Sequence, residues 1–399
     1  MRNLSRVPAL AAGLALLTAL GTVSAHAAVQ TRGFRQAFPA GAEVRLANLA
    51  GRVEVVRGQG NQVVVDTTVF AEGRNAAETQ QLLQGMKWVR SQDREGRDEW
   101  ALSYPIDKHR SYHYPRENRD QDEDIPAFLG FLEGMSQTVT TYRGERVKIY
   151  SKKKAGTPTL YANVKIALPA GGNLAMRNSV GRLHAGNLDG TVGLRTGSGD
   201  VDVAALSGQL RVETGSGDVT VGSAKGETHI GTGSGDVTVR RLVGNGTLKT
   251  GSGDVVVEQV SAGKLAVSTG SGDVTVREGE VNTVVAGTGS GGVRVLGVDL
   301  EDLTAETGSG DVVVRSSLAR ARRVLASTGS GDIDIHAGPN ASFNLKASQG
   351  SGDLSVGYSD AVLRKAGRSD KVIGAKRGDG RTEITVETGS GDCSISPRG

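Results

Sequence analysis

An all-β fold, a parallel β-solenoid of about 18–21 residues per coil, is predicted by three observations. The first is repetition: Gly197, Gly215, Gly233, Gly251, Gly270, Gly289, Gly308, Gly329, Gly350 and Gly389 each open a Gly-Ser-Gly tripeptide. The intervals are 18, 18, 18, 19, 19, 19, 21, 21 and 39 residues, a repeat-architecture period whose last step equals two coils. The second is parity. Leu210, Val212 and Thr214 alternate with Arg211 and Glu213, and after the corner Val219 and Val221 alternate with Asp218 and Thr220. The third is composition: 58 glycines against 9 prolines argue for periodic ordered turns, and 4% aromatics for a narrow aliphatic core.

The elements follow in chain order. Arg2 and Arg6 precede an apolar, Ala-rich run from Pro8 to Val23 and a small-x-small site at Ala25-His26-Ala27. This reads as a signal peptide over 1–27, cut before Ala28, and the mature chain is expected in the periplasm or at the cell surface. Its loss leaves 45 basic against 43 acidic residues, so charge demands neither nucleic acid nor an anionic membrane as partner. No later stretch approaches a transmembrane segment. Cys393 is the sole cysteine, which excludes intramolecular disulfides and cysteine-based zinc sites.

Residues 28–105 read as N-terminal strands and a helix. Glu43 to Asn48, Gly51 to Val56 and Gln62 to Asp66 alternate as strands. Asn75-Ala76-Ala77-Glu78 resembles a capping box ahead of Leu82, Leu83, Met86 and Val89, which share one helical face for docking on a sheet. Lys87 to Gln92 and Glu99 to Pro105 form a strand pair around a charged turn. Residues 106–141 are a polar insertion. Within it, Asp120, Asp122, Glu123 and Asp124 precede Pro126 in the manner of a helix N-terminus, with Phe128, Phe131, Leu132 and Met135 as its apolar face.

Residues 142–399 carry the solenoid repeats. Leu174, Met176 and Asn178 stand one 18-residue step before Val192, Leu194 and Thr196, so the array starts before its consensus. Phe343, Leu345, Ala347 and Gln349 fit the inward set with Gln in the Thr position. Val362 and Leu363, in a stretched interval, read as a helical turn, and the Gly389 coil as a C-terminal cap. Stacked coils bury one apolar column, and parallel crossovers favour right-handed winding. Inward Thr hydroxyls need partners, either along their own column or at corner amides. Nine corners continue with Asp, the exception being Gly292. Unit charges about 4.8 Å apart repel by roughly 0.9 kcal/mol even in water, so each carboxylate must accept corner N–H bonds or share cations.

Catalysis needs a special place, and ten similar corners do not provide one. The outward column after Asp reads Asp202, Thr220, Thr238, Val256, Thr275, Arg294, Val313, Asp334, Ser355, and the column before Thr reads Arg195, Glu213, Gly231, Lys249, Ser268, Gly287, Glu306. Neither concentrates carboxylates for general acid–base work. A calcium ladder needs six to eight oxygens per ion, which one Asp per coil does not supply. His109 and His113 are four apart but precede Pro115 outside any helical pattern. The reading is therefore no catalytic, metal or cofactor residues. Any specificity belongs where the repeat fails: the insertion, Gly292 with Arg294, and the stretched penultimate coil.

The chain resembles the bacterial putative-adhesin family, a domain of unknown function built of β-strand repeats. The resemblance rests on Leu46-Ala47-Asn48-Leu49-Ala50-Gly51-Arg52-Val53-Glu54-Val55, the helix at Ala76 to Met86, Val164-Lys165-Ile166-Ala167-Leu168-Pro169-Ala170-Gly171 and the Thr-Gly-Ser-Gly-Asp-Val corners. It implies an envelope protein without catalysis and supplies no site residues. The expected function is an exported, non-catalytic scaffold or adhesin-like binding surface for envelope polysaccharide or protein. The alternative is a calcium-stabilised or carbohydrate-processing β-helix.

Overall fold

The computed structural model describes residues 29–39, 43–93, 95–115, 137–367 and 370–398. The signal peptide and the helix expected over Asp120 to Met135 lie outside the described residues. The chain divides into two compact units, residues 1–173 and 174–399.

In the first unit the strand Gln62–Glu72 is central. It pairs antiparallel with Gln30–Pro39 and with Thr159–Leu168, and the latter also pairs parallel with Val53–Arg57. The strand Gln30–Pro39 has no counterpart in the sequence reading, because only Phe38 in it is buried. It exists through its ladder, not through an apolar face. The helix spans Ala76–Gly85, and Asn75 accepts the Glu78 N–H as its N-cap. Thr79, Leu82 and Leu83 are buried, and Arg32 donates to the Leu83 and Met86 carbonyls at the far end. Val89 leaves the helical face for the strand Trp88–Gln92, which forms the expected hairpin with Asp98–Leu102.

The second unit winds as a parallel β-solenoid, which totals about nine turns. Its registers follow the motif: Thr196 lies beside Thr214, Thr214 beside Thr232, and Thr232 beside Thr250. The inward column of Val, Leu, Ile and Ala is almost completely buried. Full burial of each Val, Leu or Ile side chain is worth about 1.5–3 kcal/mol before the entropy of ordering the coil is set against it.

The stacking order at the C-terminal end departs from the order in the sequence. The strand Arg323–Ser330 pairs with Thr382–Ser390, which in turn pairs with Phe343–Gln349. The Gly389 coil therefore lies between the Gly329 and Gly350 coils, and the expected C-terminal cap is an interior coil. Residue identity accounts for this. Thr388 continues the interior Thr pattern by donating to Gly331 O at 3.1 Å, whereas Gln349 sends its longer amide outward to Val372 O at 3.1 Å. Val372 belongs to a hairpin of Val362–Lys365 with Val372–Arg377, the latter strand pairing antiparallel with Phe343–Gln349. Val362 and Leu363 thus stand in a strand, not a helical turn, because pairing on this last coil outweighs local propensity.

Cys393 reports on this arrangement. Its neighbours are Ile333 on one side and Leu354 on the other, and burial first, then nearby Asp392, Asp332 and Asp334, push its thiol up to about 11. A thiol reagent at pH 8 is expected to leave Cys393 unmodified in the native protein and to modify it once denaturant releases the last coil. Immediate stoichiometric modification would mean that the coil is not held between its neighbours.

Candidate functional site

The repeated corner is held by three features, carried by the glycine, the Thr and the Asp of the motif. Gly217 has φ of +140°, and a Cβ there would stand 2.3 Å from Gly199 O in the preceding coil. Only glycine permits both the conformation and the approach. The inward Thr donates to the corner carbonyl of the preceding coil: Thr250 to Gly235 O at 2.9 Å, Thr288 to Gly272 O at 2.8 Å, Thr307 to Gly291 O at 2.8 Å. This acceptor is a carbonyl, neither a neighbouring Thr nor an amide.

The third feature is a carboxylate ladder. Asp200 Oδ1 accepts the Asp218 N–H at 3.1 Å, Asp218 accepts Asp236 at 3.0 Å, Asp236 accepts Asp254 at 2.8 Å, and Asp254 accepts Asp273 at 2.8 Å. Beyond the gap at Gly292 it resumes from Asp311 to Asp332, then Asp392, then Asp353, following stacking order. A second glycine column escaped the sequence reading. In the return turns Gly208 has φ of +131°, and a Cβ would stand 2.1 Å from Gly190 O. Its signal was present, since Gly199, Gly208, Gly217, Gly226, Gly235, Gly244 and Gly253 recur every nine residues.

At the irregular corner, Asp273 accepts the Gly292 N–H at 2.7 Å and binds the Arg294 guanidinium. These contacts, the Gly292 amide first, hold the Asp273 carboxyl below its ordinary value of 3.8. A Cβ on Gly292 would meet both terminal nitrogens of Arg294 at 3.3 Å, so the guanidinium occupies the space a side chain would need. Arg294 lies beside Thr275 in register, and Thr275, read as outward, is only 6% exposed where Arg294 crosses it. The column also gains Ser394 between Asp334 and Ser355, and Ser394 Oγ donates to Asp334 at 2.6 Å.

The two histidines do not converge. His109 Nε2 is 3.7 Å from Glu78, whereas His113 Nδ1 is 3.1 Å from Thr159 Oγ1. Burial foremost lowers the His113 pKa. Among the described residues no group of three or more His, Cys, Asp or Glu side chains could hold a metal ion, and no helix is long and apolar enough to cross a membrane. The return turns of three successive coils form a shallow groove of about 300 Å³, with Leu242 and Val260 at its floor and exposed Arg241, Gln259 and Glu278 around it. Nearby, Arg320 bonds Glu280, Asn282 and Glu301 across neighbouring coils.

Residues 225–396 match the family Toastrack DUF4097, a domain of unknown function, which bears out the family resemblance. No curated protein matches the chain. Among solved structures, the chain is similar to one from Parabacteroides distasonis ATCC 8503 described as a putative lipid binding protein. The identity is 9% over 91% of this chain and 96% of that one, with a TM-score of 0.32. A second, a putative cell adhesion protein from Clostridium sporogenes ATCC 15579, shares 9% identity over 92% of this chain and 100% of that one, with a TM-score of 0.17.

Two outcomes test the corner. Asp236→Ala removes one ladder acceptor and should cost about 1 kcal/mol in denaturant unfolding, whereas Asp236→Asn keeps an acceptor oxygen and should cost less than half of that. Asp273 has a lowered folded-state pKa, so its contribution is fully present above the unfolded value and is lost as pH falls through the lower folded value. Thermal melts of wild type and Asp273→Asn should therefore differ most at neutral pH and converge in acid below pH 3.8.

Proposed function

We propose that this Toastrack-domain chain is an exported, non-catalytic β-solenoid that serves the cell envelope as a scaffold or adhesin-like binding surface, with polysaccharide or protein as its partner. The observation that carries the reading is the use of the corner residues. The repeated carboxylates, which would be the first candidates for chemistry or for a cation file, accept backbone N–H groups of the next coil. What remains for recognition is an extended wall of coils and the return-turn groove with its exposed Arg241, Gln259 and Glu278. A long, stiff, repetitive surface suits a long or repetitive partner, since many weak contacts add along it. Export rests on the basic, apolar and small-residue pattern of residues 1–27.

Binding to immobilised envelope polysaccharides and envelope protein extract should be retained by the chain lacking residues 1–27. The triple variant Arg241→Ala, Gln259→Ala, Glu278→Ala should lose at least tenfold in affinity while melting normally. Product formation from any of these polysaccharides would contradict the non-catalytic reading, and absence of binding to all of them would contradict the scaffold reading.

A further inference from the structure

The hairpin over the outermost coil ends the sheet with an unpaired strand. Among the described residues, Val362–Lys365 pairs with Val372–Arg377 on one side and with nothing on the other. Its flanks are unusually apolar for an edge. Val362 is 70% exposed, Leu363 45% and Ile373 41%, three of the six large hydrophobic side chains exposed among the described residues. Val362 lies opposite Lys376 on one face of the ribbon, and Leu363 opposite the buried Ala375 on the other. Leu363 therefore continues the inward row of Leu345 and Ala375, and the apolar column of the solenoid runs out at this edge.

The charge here is one-sided. Residues 360–378 hold six basic and two acidic residues. Asp360 is engaged by Arg377 and Asp370 by Lys365. Among the described residues, Arg364 donates to neutral partners, the Asn344 side chain and the Leu345 carbonyl, and forms no ion pair. Natural edges carry Lys or Arg to discourage pairing with another copy, and self-pairing of this strand would bring Arg364 and Lys365 of two chains together. The same charges favour a strand of opposite sign. Other open edges, Gln30–Pro39 and Gln137–Tyr142, do not combine exposed aliphatics on both faces with such a surplus.

We propose that the edge strand Val362–Lys365 is a docking site for an extended, acidic polypeptide segment of a partner protein, which adds to the sheet as a further strand. Backbone bonds along the edge supply the affinity, and Leu363 receives alternate apolar side chains on its face. On the opposite face Arg364 and Lys376, beside Val362, select carboxylates, with Lys365 adding to the positive charge of the edge. The surface is separate from the return-turn groove and does not rest on the scaffold reading.

The probes are two labelled octapeptides, one alternating Glu and Val and the other alternating Lys and Val, titrated into the chain lacking residues 1–27 at 0.15 M salt. The Glu/Val peptide should bind at least tenfold more tightly, and the pair Lys365→Glu, Lys376→Glu should reverse the preference without lowering the melting temperature. Hydrogen exchange at residues 362–365 should slow when the Glu/Val peptide is bound. Equal binding of both peptides, binding of neither, or binding without slower exchange there would overturn the proposal. Slower exchange that appears with protein concentration alone would assign the edge to a second copy instead, and would overturn it too.

Discussion

Successive coils of this solenoid approach so closely at their corners that no side chain fits between them, and the rest of the architecture follows from that approach. A Cβ at Gly217, Gly235 or Gly253 would lie 2.2 or 2.3 Å from a carbonyl oxygen of the coil before. Glycine at that position brings the two backbones together, and their proximity creates the bonds that retain it. The Thr hydroxyl reaches back to the corner carbonyl, and the Asp carboxylate reaches forward to the next corner amide. The motif Thr and Asp thus each satisfy a backbone group of a neighbouring coil, so one coil alone would leave these groups unpaired. Stability is shared along the stack, as in other quasi-one-dimensional folds.

The energetics of the aspartate column resolve a conflict. Neighbouring carboxylates about 4.8 Å apart repel by roughly 0.9 kcal/mol in water, and salt weakens this further. A hydrogen bond to a charged acceptor contributes about 1.5–3 kcal/mol, less where exposed. The bond therefore offsets the repulsion at each step. At Gly292 the pattern changes sign instead of merely lapsing: the missing carboxylate makes room for Arg294, which neutralises the Asp273 beneath it.

Period and parity made the coil legible in the sequence, because inward Val and Leu, outward charges and glycine corners are local and repeat. The stacking order was less legible. The Gly350 and Gly389 corners are nearly identical in local sequence, and only Gln349 in the Thr position marks the former as the outermost coil. That signal has meaning only once the cap hairpin supplies Val372 O as its acceptor. The strand Gln30–Pro39 was invisible for a related reason: its order comes from an antiparallel partner further along the chain, Gln30 lying opposite Ala71 and Pro39 opposite Gln62, and it has almost no apolar face of its own. Of the places where the repeat fails, Gly292 leaves space that the Arg294 guanidinium fills while it binds Asp273. The return-turn groove depends on how three coils align, which no single coil reveals.

The corner ladder offers an internal control, because one rung is missing. Oδ1 atoms of Asp200, Asp218, Asp236 and Asp254 accept the amides of Asp218, Asp236, Asp254 and Asp273, whereas Gly292 has no carboxylate to offer the amide of Asp311. Residue-resolved hydrogen exchange at neutral pH tests the account directly. Slow exchange at Asp218, Asp236, Asp254 and Asp273 with markedly faster exchange at Asp311 is the predicted result. Equal protection at Asp311 would contradict it, since the corner would then be held without the carboxylate ladder.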